Sequence, residues 1–369
     1  MSKTIDKIIR VGIAGQGRSG YNIHCKWLRQ APHQYEIVAV SDEMPERRKE
    51  ARVELGARTY KNYTELLDDQ KLGLDLIVNA LPSFLHPQGT VEALSRGYHV
   101  VCEKPLARTV ADFDRMVAAA RKYRRVLLPF QNSRFSPVFK KVQEVIVSGK
   151  LGEIVFIRMS LGGFGRRWDW QTCQAYWGGN LLNTGPHPMD QAIALFGDRM
   201  PHVSSKLVSI NPYGDADNFD LVVLSGKGAP TIEIMINSFL AYPQGDQYNV
   251  SGTLGGLTGG DSGLKWKFFD PKKAPKHPRF NGSWSVKRQY CSEQLPWVEE
   301  QWKPEATPSF DLASRGFYDN AYDILVNGGQ RVITLDQVRR QLAVMEECHR
   351  QNPLPRGKGR IFHKAGRRA

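Results

Sequence analysis

Cysteine is scarce in this chain, with five in 369 residues and none in a CxxC pair. Cys25, Cys102, Cys173, Cys291 and Cys348 are an odd set. That argues for free thiols in a reducing compartment and against a zinc site. No run of about 18 apolar residues exists, so no membrane-spanning helix is expected. The opening MSKTIDKIIRVGIAG enters a strand at once and holds no apolar signal-peptide core. The expected compartment is therefore the cytoplasm.

Acid is also in short supply, 37 residues against 51 Lys and Arg, for a net charge of +14. The excess is uneven. The last fourteen residues, RGKGRIFHKAGRRA, carry six basic residues and no acid. A second basic stretch, 271–288, is rich in Pro and Lys and reads as a loop. A solvated tail and loop explain both, with attraction of anionic substrates next. Specific nucleic-acid binding comes last, because no reading motif is present. Hydrophobic residues at 41% and charged residues at 24% describe an ordinary globular chain. Its length allows two domains.

Strands and helices alternate through the first third. Short apolar runs at 8–14, 36–42, 74–82, 98–105 and 126–132 read as buried parallel strands. Helices fall between them, at about 20–30, 45–55, 88–97 and from Thr109 onward. Thr109 and Asp112 stand at N-cap and N3 of the last of these. The pattern predicts a doubly wound parallel sheet with right-handed crossovers. After a helix at 137–148 the grammar changes. Runs at 153–160, 202–210, 218–225 and 230–238 follow with few helices between them, suggesting a mostly antiparallel open sheet. Two more helices are expected near 311–327 and 335–350, the last with Thr334 and Gln337 as a capping box. The expected division is a dinucleotide-binding domain at 1–130, an α+β substrate and oligomerisation domain at 131–352, and a basic tail at 353–369.

Gly15-Gln16-Gly17-Arg18-Ser19-Gly20 is a GxGxxG that follows a strand and opens a helix, the context in which that pattern binds a dinucleotide. Its amides and the helix N-terminus suit a pyrophosphate. Asp42, at the end of the second strand, would accept the adenosine ribose hydroxyls and repel a 2′-phosphate, favouring NAD over NADP. Arg47 and Arg48 follow it and could offset that preference.

Three further segments join that loop: DLIVNALPSFLH at 75–86, EKPL at 103–106 and GGNLLNTGPHPMDQAIALFG at 178–197. Together they resemble the glucose–fructose oxidoreductase, inositol dehydrogenase and rhizopine-catabolism (Gfo/Idh/MocA) family over essentially the whole chain. The resemblance implies a Rossmann domain followed by an α+β domain with a large open sheet. It also implies NAD(P)-dependent oxidation or reduction of a sugar, cyclitol or related polyol, and a homo-oligomer packed through that sheet.

Moving a hydride from a secondary alcohol requires a base for the hydroxyl proton and a charge that stabilises the alkoxide. The resemblance assigns these tasks to His187 and Lys104. An unperturbed imidazole titrates near 6.5, which suits the base. Pro105 is expected to follow a cis peptide. Asn183 stands where many family members have Asp; it can hydrogen-bond but cannot act as a base. If its segment is helical, it shares a face with His187. Asp190 is a candidate substrate contact or support. Arg166, Trp168 and Trp170 are candidate sugar contacts, since Trp faces stack on sugar rings. Leu81, Pro82, His86 and Glu103 are expected at the cofactor, and His24 either there or filling space beneath the first helix. Two other functions fit the same residues: a glycosidase working through transient oxidation by bound NAD, and a non-catalytic NAD- or sugar-sensing regulator.

Overall fold

The computed structural model describes residues 7–242, 245–277, 292–305 and 309–355. Cys291, the tail from 356 onward and residues 278–288 of the basic loop lie outside the described residues.

Six strands form one parallel sheet. In chain order they are β1 (Ile9–Ala14), β2 (Tyr35–Ser41), β3 (Arg58–Tyr60), β4 (Leu76–Asn79), β5 (His99–Cys102) and β6 (Leu127–Pro129). Their spatial order is β3-β2-β1-β4-β5-β6. The order reverses between β1 and β4, and ligands of such sheets bind in the crevice at that switch point. Both strands are apolar and buried almost throughout because helices cover both faces. Val11, Ile13, Leu76 and Val78 have no exposed surface. The three-residue β3 escaped the sequence reading; a run that short carries no periodicity.

The helix Val110–Lys122 begins as the sequence predicts, with Thr109 Oγ1 accepting from the Asp112 amide at 3.1 Å. The first crossover differs. Instead of one regular helix, a π-helical turn spans Gly20–Cys25 and a short α-helical turn follows at Lys26–Leu28. A Cβ on Gly20 would lie 1.9 Å from the Gly15 carbonyl oxygen, so only glycine lets the helix start this close to the loop.

A second sheet has eight strands: β7 (Ile154–Gly162), β8 (His202–Val208), β9 (Phe219–Ser225), β10 (Thr231–Asn237), β11 (Tyr248–Gly252), β12 (Gly255–Gly260), β13 (Gly263–Phe268) and β14 (Val298–Trp302). Their order is β14-β13-β12-β11-β7-β10-β9-β8. Among the described strand pairs of this second sheet, only β7–β10 is parallel. Burial alternates strictly in β9 and β10, which marks a sheet with one covered face. Val222, Leu224, Ile232 and Ile234 pack there against Met189, Ala192 and Ile193 of the helix Pro186–Phe196.

The helix Leu335–Gln351 starts with the predicted capping box of Thr334 and Gln337. The helix Ser309–Tyr322 packs back onto the first sheet, where Ala313, Phe317, Tyr318 and Ala321 join the core built by β1, β4 and β5. No helix among the described residues is long and apolar enough to cross a membrane.

Candidate active site

The glycine loop leaves β1 at the switch point. Gly15 has φ of +97°, and a Cβ there would lie 2.4 Å from the Ala80 carbonyl oxygen in the turn after β4. Gly17 is different. A Cβ on it meets nothing nearer than Arg47 Nη1 at 4.0 Å. The protein's own packing does not require glycine at 17, whereas close approach of a pyrophosphate would. The loop residues thus fit a dinucleotide. Gln16 turns its side chain inward, with Nε2 donating to the Gly15 carbonyl, while Arg18 is exposed.

Asp42 closes β2 with a nearly buried carboxylate. Oδ2 accepts from the Gln16 amide at 2.9 Å and Oδ1 from the Met44 amide at 2.9 Å. Arg47 Nη1 stands 3.3 Å from Oδ2, and Arg48 donates to the Asp42 carbonyl at 2.7 Å. The carboxylate is held by two main-chain amides at the carboxyl end of β2, flanked by both arginines.

At the carboxyl end of β5, the Lys104–Pro105 peptide is cis. Lys104 Nζ donates to the Asn183 carbonyl at 2.9 Å and lies 3.5 Å from Asn183 Oδ1. Burial lowers its pKa below the usual lysine range. The Glu103 charge opposes that shift, and Arg18 and Arg167 add to it.

The residues expected at the cofactor around this lysine are sealed beneath it. Glu103 is 3% exposed; its Oε1 lies 3.2 Å from His24 Nε2, and its Oε2 accepts from the Lys104 amide at 2.9 Å. His86 is 2% exposed, with Nδ1 2.8 Å from the Pro105 carbonyl and Nε2 2.8 Å from the Leu81 carbonyl. Both are engaged with protein partners on either side of the Lys104–Pro105 turn. His86 ties the turn after β4, which carries Leu81 and Pro82, to the Lys104–Pro105 turn. His24 is fully buried and fills the space beneath the first helix.

His187 comes from the second unit, in the first turn of the helix Pro186–Phe196. Its ring has no hydrogen-bond partner among the described residues, and Nδ1 is sealed from solvent. Burial, reinforced by the Lys104 charge, lowers its pKa to about 3. This lies below the near-neutral range of an unperturbed imidazole and favours the neutral ring.

Asn183 ends its own short helix, Asn180–Asn183, and the chain breaks before Pro186. Asn183 and His187 therefore do not share one helical face. Asn183 Oδ1 also accepts from Gln171 Nε2 at 3.2 Å. A small cavity of about 20 Å³ beside it is lined by Arg167, Gln171, Asn180, Asn211 and Asn218. A larger hollow of about 660 Å³, lined by Tyr21, Asn22, Lys26, Arg29 and Gln30, includes none of these residues.

The remaining candidates fall elsewhere. Asp190 has no exposed surface, and Arg134 takes both its oxygens, Nη2 at 2.7 Å from Oδ1 and Nε at 2.9 Å from Oδ2. It ties the helix Pro186–Phe196 to the turn Asn132–Phe135. Arg166 lies over the Tyr213 ring at 5.1 Å and donates to its hydroxyl. Trp168 is 74% exposed on the same loop and Trp170 is 36% exposed, and neither lines the small cavity. The loop instead brings Arg167 and Gln171 to Asn183. The sequence signal was Asp169, whose Oδ1 accepts from the Gln171 amide and turns the chain there.

Residues 9–130 match the model of an oxidoreductase family with an NAD-binding Rossmann fold, and residues 139–258 match the C-terminal domain of the Gfo/Idh/MocA family. An uncharacterized oxidoreductase of Schizosaccharomyces pombe is 30% identical over 67% of this chain and 69% of its own length. A myo-inositol 2-dehydrogenase of Thermotoga maritima is 29% identical over 60% of this chain and 66% of its own. Among solved structures, an NAD-binding protein from Listeria innocua superposes with a TM-score of 0.76 at 23% identity, covering 94% of this chain and 97% of its own. The WlbA dehydrogenase from Bordetella pertussis, in complex with NADH and UDP-GlcNAcA, superposes with a TM-score of 0.72 at 22% identity, covering 94% and 96%. The chain belongs to the Gfo/Idh/MocA family of NAD-binding oxidoreductases.

Proposed function

We propose that this oxidoreductase is a dehydrogenase that transfers a hydride between a secondary alcohol of a sugar, cyclitol or sugar derivative and NAD. The observation that carries this reading is a lysine from the end of β5 that docks on Asn183 of the other unit, four residues before His187, whose Nδ1 has no hydrogen-bond partner among the described residues. Lys104 would polarise the substrate oxygen and favour the alkoxide. His187, free of other hydrogen bonds, would take the hydroxyl proton. Asn183 and Gln171 would hold neighbouring hydroxyls. When bound, the cofactor supplies the nicotinamide ring that accepts or returns the hydride.

The Asn183 and Gln171 amides near Lys104 support a hydroxyl-rich substrate. So does the inositol dehydrogenase among the relatives. Asp42 supports NAD over NADP, although Arg47 and Arg48 stand beside it. A screen of sugars, cyclitols and glycosides, following NADH absorbance and product mass together, tests the reading. A substrate oxidised with stoichiometric NADH is expected. Cleavage of glycosides with no free NADH would overturn it in favour of redox-assisted hydrolysis. Calorimetry should show NAD binding more tightly than NADP, with Asp42→Ala narrowing the difference.

A further inference from the structure

We propose that the substrate is a sugar acid whose carboxylate is held by Arg167 and the Asn183 side-chain amide, beside Lys104. The inference names a substrate class within the dehydrogenase reading and rests on that reading for the site. Its test reads binding apart from turnover.

The polarity of the small cavity beside Asn183 follows from one residue that can only donate. A guanidinium has five N–H groups and no acceptor. Arg167 Nη2 donates to Asp169 Oδ2 and to Gln171 Oε1. The Gln171 amide is therefore fixed with its oxygen toward Arg167 and Nε2 toward Asn183, whose Oδ1 accepts it at 3.2 Å. Lys104 Nζ lies 3.5 Å from the same oxygen. Asn183 thus spends its acceptor on the protein. The two N–H groups of its Nδ2 have no partner among the described residues. An aspartate at this position would offer acceptors only; the asparagine reverses that polarity.

The other amides of the lining follow the same pattern. Asn180 Oδ1 accepts from the Ser238 hydroxyl at 3.2 Å, Asn211 Oδ1 from the Tyr213 amide at 3.3 Å and Asn218 Oδ1 from the Ile210 amide at 3.0 Å. Each side-chain amide oxygen of the lining is therefore taken by a protein donor. What is unspent is N–H: Asn183 Nδ2, the buried Asn218 Nδ2, and Nε and Nη1 of Arg167, none with a partner among the described residues. The one carboxylate in the lining, Asp217, is 3% exposed. Its Oδ2 accepts from the Leu181 amide at 2.7 Å, and its Oδ1 lies against Gly179, where a Cβ would come within 2.2 Å.

A hydroxyl placed here could accept but would find no free amide oxygen for its own proton. A carboxylate only accepts, so it matches a set of unspent donors, and hydrogen bonds to a charged group are the stronger kind. The ion pair of Arg167 with Asp169 uses Nη2 and leaves the other nitrogens for a second carboxylate. A cavity of about 20 Å³ admits about one oxygen-sized group. A planar carboxylate can enter it by one oxygen, whereas a tetrahedral phosphate with three terminal oxygens is too large. The net charge of +14 favours the approach of such an anion.

Calorimetry on the full-length protein with NADH bound, so that nothing is oxidised, compares hexuronates and hexonates with their neutral parent sugars and with the uronamides. The best sugar acid should bind about 10–100-fold tighter than its parent, the scale of one or two hydrogen bonds to a charged group. The uronamide, of the same shape without the charge, should bind like the parent. Arg167→Met should erase the preference for the acid. Asn183→Asp should raise KM for the acid about tenfold or more by placing a second carboxylate against it, the change falling on KM rather than kcat. A panel in which no sugar acid outbinds its parent overturns the proposal. So does an Arg167→Met protein that weakens acid and parent equally, because the arginine then only supports its loop. A sugar phosphate that binds more tightly than the matching acid overturns the carboxylate in favour of a phosphate ester. If an acid binds with the expected dependence on Arg167 but is not oxidised when NAD replaces NADH, the dehydrogenase reading fails and the carboxylate site stands.

Discussion

Lys104 Nζ donates to the main-chain carbonyl of Asn183, 2.9 Å away, rather than chiefly to the Asn183 side chain at 3.5 Å. The helix break explains why that carbonyl is available. In a continuous helix the His187 amide would occupy it, but here that amide bonds to Thr184, three residues back. The break before Pro186 thus creates the acceptor that docks the lysine across the cleft.

Asn183→Ala should therefore be a mild change for Lys104. The main-chain acceptor survives, and what is lost is the Gln171 contact at 3.2 Å. Turnover should fall by about tenfold or less, the scale of one neutral hydrogen bond. Asn183→Asp keeps both acceptor contacts and adds a charge opposite the ammonium, so turnover should hold or rise. Steady-state kinetics with the best substrate from the screen checks both. A loss in Asn183→Ala as large as in Lys104→Ala would show that the side chain, not the carbonyl, is the essential acceptor.

His187→Ala and Lys104→Ala should each lower turnover by about 10²–10⁴-fold, the usual contribution of a proton-transfer group. Both act on one hydroxyl, so the double variant should lose far less than the product of the two. NAD binding should survive His187→Ala, since the glycine loop and Asp42 belong to the other unit. Near-normal turnover in a His187→Ala protein that binds NAD would assign the proton to another group.

The acid limb of kcat/KM should be displaced. An imidazole with an ordinary pKa would protonate and stop working as pH falls through about 6.5. Burial and the Lys104 charge bring His187 to about 3, so it stays unprotonated and competent well below that point. The profile should be flat from pH 8 to about pH 5. Lys104→Met removes part of the depression and should move the limb to higher pH in the residual activity. A bend near 6.5 in the unmodified protein would mean that the base sits in a more solvated setting during turnover.

The parts legible in the sequence were those written in local patterns. The glycine loop, the apolar runs of β1, β4 and β5, and the caps at Thr109 and Thr334 each act within one element. What escaped was made by residues far apart in the chain. Tyr318 meets His24 across 294 positions, and Arg134 meets Asp190 across 56. No periodicity announces such pairs, so the Arg134 partner of Asp190 and the burial of Glu103 were not legible. The split between Arg166 and Arg167, of which the second lines the small cavity, has a similar source. Outside a regular element, adjacent side chains have no fixed direction, and Tyr213, distant in sequence, claims the first arginine.

A buried carboxyl that no pattern revealed gives the last expectation. Asp220 in β9 has no exposed surface, and among the described residues neither of its oxygens has a hydrogen-bond partner. Burial, then the adjacent Asp217 charge, raises its pKa well above the ordinary aspartate value. Asp217 is already committed, with Oδ2 accepting from the Leu181 amide at 2.7 Å at the start of the helix that presents Asn183. A folded-state pKa above the unfolded one means that the folded state binds the extra proton. Stability from this group is then fully present below the unfolded value, near 3.9, and is lost as pH rises toward the folded value. Asp220→Asn keeps the shape, can donate to Asp217 and has no proton to lose. Its melting temperature should exceed that of the unmodified protein by a few degrees at pH 8, with the gap closing as pH falls toward 4. Thermal unfolding followed at several pH values reads this directly. An Asp220→Asn protein less stable than the original at pH 8 would mean that the carboxyl is ionised in place and bound by a cation or water.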